Sequence, residues 1–304
     1  MQSISRGWLF LKEAWQMAFK DKDLIQPSIF AVIVGFIVSV AGLIPLIGAA
    51  LLFGDSGPVG RAIFFIIGAI LVFVQYVVGY VFSGMTVYLI YGYLAEGDGR
   101  MDKAWSKVQR EFWNIISLAA VSALINVLTR EARNNRNRRS PVGAFGGLIA
   151  GLLQSVWTEA SYLILPAMMI EDANLVNGVK RATQIIKDNL LLIGVSTVGV
   201  KWVTGAISFV LGLAGLVIGV AVGGGLIAVL GTSTAPLVVG VALGALIFFA
   251  FVMVASVISS YTMTAYNTCL FLWARDVEKA RAESANSAIP VQLPAPAPLA
   301  AVFS

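Results

Sequence analysis

Six long apolar stretches divide this chain of 304 residues, with short polar segments between them. A helix that crosses the hydrocarbon core of a bilayer takes roughly 20 apolar residues. We place the spans at about 27–53, 61–94, 114–129, 142–170, 190–223 and 237–273. The sequence therefore predicts an all-α fold, a polytopic transmembrane helix bundle of about six spans.

Composition leaves little room for a soluble domain. Hydrophobic residues make up 58% of the chain and charged residues only 12%, whereas soluble domains hold roughly half and a quarter. The bundle takes residues 24–283, between an N-terminal segment at 1–23 and a Pro/Ala-rich arm at 284–304. We expect the arm to be extended.

Residues 1–23 predict an amphipathic helix. Ile4, Trp8, Leu11 and Trp15 recur at helical spacing, and charged residues take the other face. Basic amphipathic segments also occur near 101–112 and 175–187. Such a helix either lies in the membrane interface, with the lipid bilayer as its partner, or packs on its own bundle. Both alternatives stay open for residues 1–23, and we expect all three helices at the cytoplasmic face.

The distribution of Lys and Arg indicates an orientation. With both termini in the cytoplasm, the inner segments hold fourteen basic residues, and the outer loops hold Arg61 and five arginines between 130 and 139. This bias is normal for membrane proteins, and it predicts a prokaryotic cytoplasmic (inner) membrane. It also explains the net charge of +5 without nucleic acid as a partner.

The span at 114–129 is short for a crossing, so a re-entrant hairpin with five crossings in total is the alternative. The order of segments also indicates a repeat, in which a basic amphipathic helix and a two-span hairpin occur three times; the alternative is chance similarity among basic amphipathic linkers. Two crossings in each unit keep the copies parallel.

Two charges fall inside the predicted spans, and they make the first candidate site. Glu159 in the fourth span and Lys201 in the fifth lie at one level, each roughly 16 Å from the cytoplasmic face at about 1.5 Å per residue. Polar neighbours are Thr158, Tyr162 and Thr197. The pair is either a site for an ion, a proton or a polar solute, or a structural ion pair. A second polar stripe on the sixth span is formed by Ser256, Ser260, Thr264 and Asn267.

Glycines at intervals of four residues form the second candidate feature. They occur in the fifth span as Gly215, Gly219 and Gly223, and in the sixth as Gly240 and Gly244. Such surfaces allow close helix contact. The sequence leaves open whether the partner is in the same subunit, with a slight preference for self-association, so the predicted partners include a homo-oligomer or a larger membrane complex.

Enzymatic groups are scarce. The chain has no histidine and one cysteine, Cys269, which removes the commonest general base and any metal site that needs a second thiolate. No hydrolase, metalloprotease or phosphate-loop motif is found. We therefore expect no enzyme, no cofactor and no metal.

The segment WTEASYLILPAMMIEDANLVNGVKRATQIIKDN, from residue 157, and the opening SRGWLFLKEAW resemble a family of uncharacterised prokaryotic six-span integral membrane proteins. The positions that match this family's pattern are Trp157, Tyr162, Pro166, Glu171, Lys180 and Arg181. Glu159 and the arginine run depart from it. The resemblance implies six spans and no particular activity.

Two functional hypotheses follow. The leading one is a non-enzymatic, self-associating scaffold or accessory subunit, based on the glycines and the interfacial helices. The alternative is a channel or transporter for an ion or small polar solute, based on Glu159, Lys201 and the hydroxyl stripe. A cavity near Glu159 would favour the alternative.

Overall fold

The computed structural model describes residues 2–53, 57–134, 141–188, 190–231, 233–283 and 299–300. Every regular element in these ranges is helical, which confirms the all-α prediction. The helices are α1 (Gln2–Lys20), α2 (Gln26–Phe53), α3 (Gly57–Glu96), α4 (Met101–Arg110), α5 (Phe112–Asn134), α6 (Pro141–Glu171), α7 (Leu175–Asp188), α8 (Leu190–Leu230) and α9 (Thr234–Glu283). A 3-10 turn, Lys22–Leu24, joins α1 to α2.

The helices form three successive units, each a shorter amphipathic helix followed by two long helices: α1 to α3, α4 to α6, and α7 to α9. This is the order that the sequence repeat predicts. The two long helices of each unit pack together as a hairpin, and the second long helices, α3, α6 and α9, also contact one another. One helix from each unit therefore forms the centre of the molecule.

Five helices are long and apolar enough to cross a membrane, as expected of a multi-pass membrane protein. The candidate segments are Lys22–Phe53, Gly57–Glu96, Phe112–Arg130, Val198–Leu230 and Thr234–Ala280. Within its described residues α6, the predicted fourth span, is not among them. Its sequence is less apolar because Gln154, Thr158 and Glu159 interrupt it.

Some helix ends differ from the prediction. The fifth span was expected to end near residue 223, yet α8 continues to Leu230 because no polar residue interrupts it. Gly231, with a φ of 91°, then makes the turn, in a left-handed conformation that glycine adopts easily. The arginine segment 135–140 and the arm at 284–298 and 301–304 lie outside the described residues.

Most of the large exposed apolar side chains occupy one zone of the molecule, which we call the apolar band. It consists of residues 29–53 of α2, 59–70 of α3, 124–128 of α5, 149–156 of α6, 202–230 of α8 and 237–254 of α9. Contiguous apolar surface of this extent is the kind that contacts lipid.

The opposite zone, which we call the basic end, contains α1, α4, α7 and the adjoining ends of the long helices. It holds most of the buried apolar core, including Phe10, Leu89, Ile164, Met168 and Phe271. The described basic side chains here include Lys12, Lys20, Lys103, Lys107, Arg181 and Arg275. The chain is thus packed like a globular protein at one end and exposes apolar hairpins at the other.

At the basic end, α1 packs on α8 and α9. Its inner face therefore fits the alternative in which this amphipathic helix packs on its own bundle. Nε1 of Trp15 donates to the Thr262 hydroxyl at 3.2 Å, and the Tyr261 hydroxyl donates to the Ala14 carbonyl at 2.9 Å. The outer face of α1 still exposes Trp8. One helix therefore combines a packed face and an exposed aromatic face.

Ion pairs hold the short amphipathic helices of the second and third units at the basic end. Lys107 of α4 contacts Asp172, in the turn after α6. Arg181 of α7 lies 3.1 Å from Glu171 of α6 and 2.5 Å from Glu278 of α9. These contacts fix the short amphipathic helices against the ends of the long ones.

Candidate functional site

The two predicted intramembrane charges form an ion pair between α6 and α8. Nζ of Lys201 contacts Oε1 of Glu159. The side chains of Lys201 and Glu159 are 42% and 36% exposed, so the pair is not sealed in the core. Because α9 contacts both α6 and α8, the pair connects two helices that share one neighbour.

The surroundings of the pair differ between its two helices. On α6 the exposed apolar residues end at Val156, just before Glu159, whereas on α8 exposed apolar residues lie on both sides of Lys201, at Val198 and Trp202. The predicted depth of the pair in the membrane stays a prediction. Long charged side chains in apolar surroundings can extend toward the polar side.

The three polar neighbours of the pair have separate positions. The Thr158 hydroxyl donates to the Gln154 carbonyl of its own helix at 2.7 Å, and among the described residues it makes no hydrogen bond to the pair. Tyr162 lines the cavity described next. Thr197 lies outside the residues whose side chains are described.

A cavity of about 480 Å³ lies between α3, α6, α8 and α9. Seven hydroxyl groups line it, from Ser83, Tyr162, Ser208, Ser256, Ser259, Ser260 and Thr264. The remaining lining is apolar, from Val252, Ala255 and Met263. We call this space the hydroxyl cavity.

Most of these hydroxyls are available for hydrogen bonds to a ligand. Ser256 donates to the Val252 carbonyl at 2.8 Å. Among the described residues, the other six hydroxyls have no hydrogen bond to protein. A hydroxyl both donates and accepts, so this lining can satisfy neutral polar groups of either kind.

The ion pair and the hydroxyl cavity share two helices. Tyr162 lies one turn beyond Glu159 on α6, and Ser208 lies two turns beyond Lys201 on α8. The pair therefore positions the two helices that contribute these lining residues. It does not itself line the cavity within the described residues.

Part of the predicted polar stripe on α9 faces the cavity. Ser256, Ser260 and Thr264 line it, whereas the side chain of Asn267 donates to the Met263 carbonyl of its own helix at 2.7 Å. Sequence reasoning did not find Ser83 and Ser208, which lie on other helices. In the sequence each of them is a lone hydroxyl residue in an apolar stretch. Such a residue does not show which side of its helix faces a cavity.

The glycines bring α8 and α9 together within the chain. A Cβ added at Gly219 would lie 2.5 Å from the Gly244 carbonyl oxygen. Gly223 meets Gly240 in the same way, and Gly215 meets Phe251. The slight preference for a contact between subunits does not hold for these glycines, because a helix of the same chain already occupies their surface.

Neither a metal site nor a related protein identifies the function of this chain. Within the described residues, no group of three His, Cys, Asp or Glu side chains could hold a metal ion. Comparison with protein-family models and with curated proteins gives no match.

Proposed function

We propose that this chain is a membrane transport protein in which the hydroxyl cavity binds a small neutral polar solute. The observation that carries the proposal is the set of six cavity hydroxyls without a protein partner among the described residues. In a low-dielectric environment unpaired polar groups are costly. A solute or water that pairs with them offsets that cost.

The lining favours a neutral solute over an ion. None of the described residues that line the cavity is charged, and a bare charge in an apolar environment needs a compensating charge or metal. A polyol offers several hydroxyls of its own, so each can donate to or accept from the serines. A volume of about 480 Å³ falls within the common range for small-molecule sites.

In this proposal Glu159 and Lys201 are positioning residues. They hold α6 and α8 at a fixed register beside α9, and these helices carry Tyr162 and Ser208. The charges do not contact the solute. Transport then depends on the pair through the geometry of the cavity.

The proposed topology has six spans, with α6 as the additional one. Its support is the antiparallel α5–α6 hairpin and the contacts of α6 with α3 and α9, both of which are candidate spans. The excess of basic residues at the basic end supports placing that end, and both termini, in the cytoplasm of a prokaryotic cell. The amphipathic helices then lie at the cytoplasmic interface.

The scaffold hypothesis stays a prediction with less support than before. Its main argument was the glycine surface, which α8 and α9 use between themselves. The absence of enzymatic activity and the resemblance to a six-span family also stay predictions.

The test is solute uptake by purified protein in liposomes, measured by light scattering with glycerol and sorbitol. We expect faster swelling than in protein-free liposomes for at least one of the two. Ser260→Leu fills the cavity and should reduce the protein-dependent rate at least tenfold. Ser155→Leu, a matched change at an exposed position in the apolar band, should leave the rate unchanged.

Uptake equal to that of protein-free liposomes for both polyols would overturn the proposal. Uptake that is insensitive to Ser260→Leu would also do so, because the solute would then follow another route. If Ser260→Leu fails to fold, Ser260→Ala removes the hydroxyl without added volume and should still lower the rate.

A further inference from the structure

A second cavity lies between α2, α3 and α5, apart from the hydroxyl cavity. Its volume is about 380 Å³. Five polar side chains line it, from Ser39, Gln75, Tyr76, Asn126 and Arg130. The sequence offered no reason to group them, because they come from three helices and Arg130 was assigned to an outer loop.

Arg130 lies two residues beyond Leu128, where the apolar band ends on α5, and it shares the cavity with Ser39 in the α2 part of that band. Nδ2 of Asn126 donates to the Tyr76 hydroxyl at 3.2 Å, which sets α5 against the middle of α3. Val72 lines the cavity together with Arg130, and α3 extends from there back to Gly57, roughly 20 Å at about 1.5 Å per residue. Arg130 is therefore well short of the outer end of the α2–α3 hairpin.

The guanidinium of Arg130 has no anionic partner among the described residues. No carboxylate there lies within salt-bridge distance of it, and no hydrogen bond to it is found. Leu124 and Leu128, on the same helix, are exposed as part of the apolar band. Arginine at such a depth is costly, and it commonly marks a site for ions or polar solutes.

Asn126 supplies an independent indication of a ligand. Its side chain is only 9% exposed, and its Oδ1 is buried without a hydrogen-bond partner among the described residues. Nε2 of Gln75 donates to the Gly35 carbonyl at 2.9 Å and to the Ser39 hydroxyl at 2.7 Å, so both of its protons are used. Among the described residues, the lining thus holds one cation and, on Asn126, a buried acceptor without a protein partner.

We propose that this cavity binds a small oxyanion that keeps an O–H group of its own, with the phosphate class as its best match. Arginine binds two oxygens of a phosphate at once through its planar fork. The remaining P–O–H group donates to Oδ1 of Asn126, which a fully ionised oxyanion cannot do. The site is separate from the hydroxyl cavity, and the inference does not depend on the proposed transport of a neutral solute.

The test uses inorganic phosphate and sulfate as probes, with full-length protein in detergent and titration calorimetry near neutral pH. Phosphate keeps at least one O–H group under these conditions, and sulfate has none. We expect phosphate to bind at least tenfold more tightly than sulfate. Arg130→Gln should weaken phosphate binding at least tenfold, and Asn126→Ala should remove the preference for phosphate.

Arg61→Gln is the matched control, since Arg61 is an exposed arginine of the same hairpin outside this cavity; it should leave phosphate affinity unchanged. Equal affinity for the two anions, binding that is indifferent to Arg130→Gln, or no binding of phosphate would overturn the inference. If Arg130→Gln fails to fold, Arg130→Lys keeps the charge, loses the bidentate geometry and should still weaken binding. Each of these results is independent of polyol uptake.

Discussion

Lys107 is nearly buried at the basic end, and two carboxylates compensate its charge. Its side chain is 8% exposed and lies 3.4 Å from Oε1 of Glu111 and in contact with Asp172. The Lys107 ammonium, as the largest influence, holds the pKa of the Asp172 carboxyl below its usual value. Removing one member of such a group leaves a poorly compensated charge.

We expect Asp172→Asn to lower thermal stability near neutral pH and to have no effect in strong acid. The folded-state pKa of Asp172 lies below its unfolded-state value, which is about 3.9. The ionised carboxylate therefore stabilises the fold above that value, and the contribution is lost as the pH falls through the folded-state pKa. Unfolding temperatures of variant and wild type, measured from neutral to acid pH, check this.

Asp98→Asn serves as the control for this measurement, because Asp98 is exposed and has no ion pair among the described residues. A difference between wild type and Asp172→Asn that grows toward acid pH would contradict the assignment.

The close contact at Gly219 predicts a large effect of a side chain there. A Cβ would lie 2.5 Å from the backbone oxygen of Gly244, and that oxygen cannot move aside as a flexible side chain can. We expect Gly219→Leu to destabilise the protein by about 1–3 kcal/mol or more. Thermal unfolding in detergent measures this.

Gly212→Leu is the matched comparison, since an added Cβ there meets nothing within 4 Å. Both changes raise helix propensity equally, so only the contact with α9 distinguishes them. Similar stability of the two variants would exclude a tight α8–α9 contact at Gly219.

At the scale of elements, the charged contact between Glu159 and Lys201 joins α6 to α8. Both partners are more than a third exposed, and pairs of that kind typically contribute about 0.2–1 kcal/mol. Exchanging the charges with Glu159→Lys and Lys201→Glu separately should lower the unfolding temperature, because each single change places like charges together. The double exchange should recover most of the loss.

A double variant no more stable than the worse single variant would mean that the two charges do not interact directly. Polyol uptake by the double variant supplies a second readout. It should resemble wild type if the pair acts only by positioning α6 and α8.

The apolar runs and the polar breaks between them predicted which segments are helical and in what order. They did not predict which face of each helix contacts its neighbours. Apolar runs located α2 and α3 within about four residues at each end, whereas α8 and α9 extend seven and ten residues beyond the predicted ends of their spans. Equal counts from the helix ends placed Glu159 and Lys201 at one level. A helical pattern alone could not decide which helix faces Gly219, because a glycine surface fits either an intrachain or an intersubunit neighbour. Ser83 and Ser208 were missed for the same reason.

The relative level of residues on different helices was the other quantity that the sequence did not contain. Counting from the end of a helix assumes that the helix starts at the membrane surface. On α6 the exposed apolar residues end before Glu159, whereas on α8 they lie on both sides of Lys201. Arg130 was assigned to an outer loop, yet it shares a cavity with Ser39 of α2, because α5 is short and the neighbouring α2–α3 hairpin extends well beyond it.

For the molecule as a whole, the repeat defines a division of roles. The second long helices, α3, α6 and α9, contact one another and carry most of the hydroxyl cavity, from Ser83, Tyr162 and Ser260 among others. The first long helices lie outside them, and α2 and α5 form the second cavity with α3. The two candidate sites therefore share α3 and otherwise use different helices of the bundle.

The packing of α1 also has a consequence for biosynthesis. Phe10 and Ala14 are buried against residues of α8 and α9, including Tyr261 and Tyr266. A ribosome that adds roughly 5–20 residues per second needs on the order of 10–50 s to pass from Phe10 to Tyr266. For that interval the apolar side of the first segment to be made has no protein partner, so the membrane surface, or a chaperone, must cover it until the last hairpin is inserted.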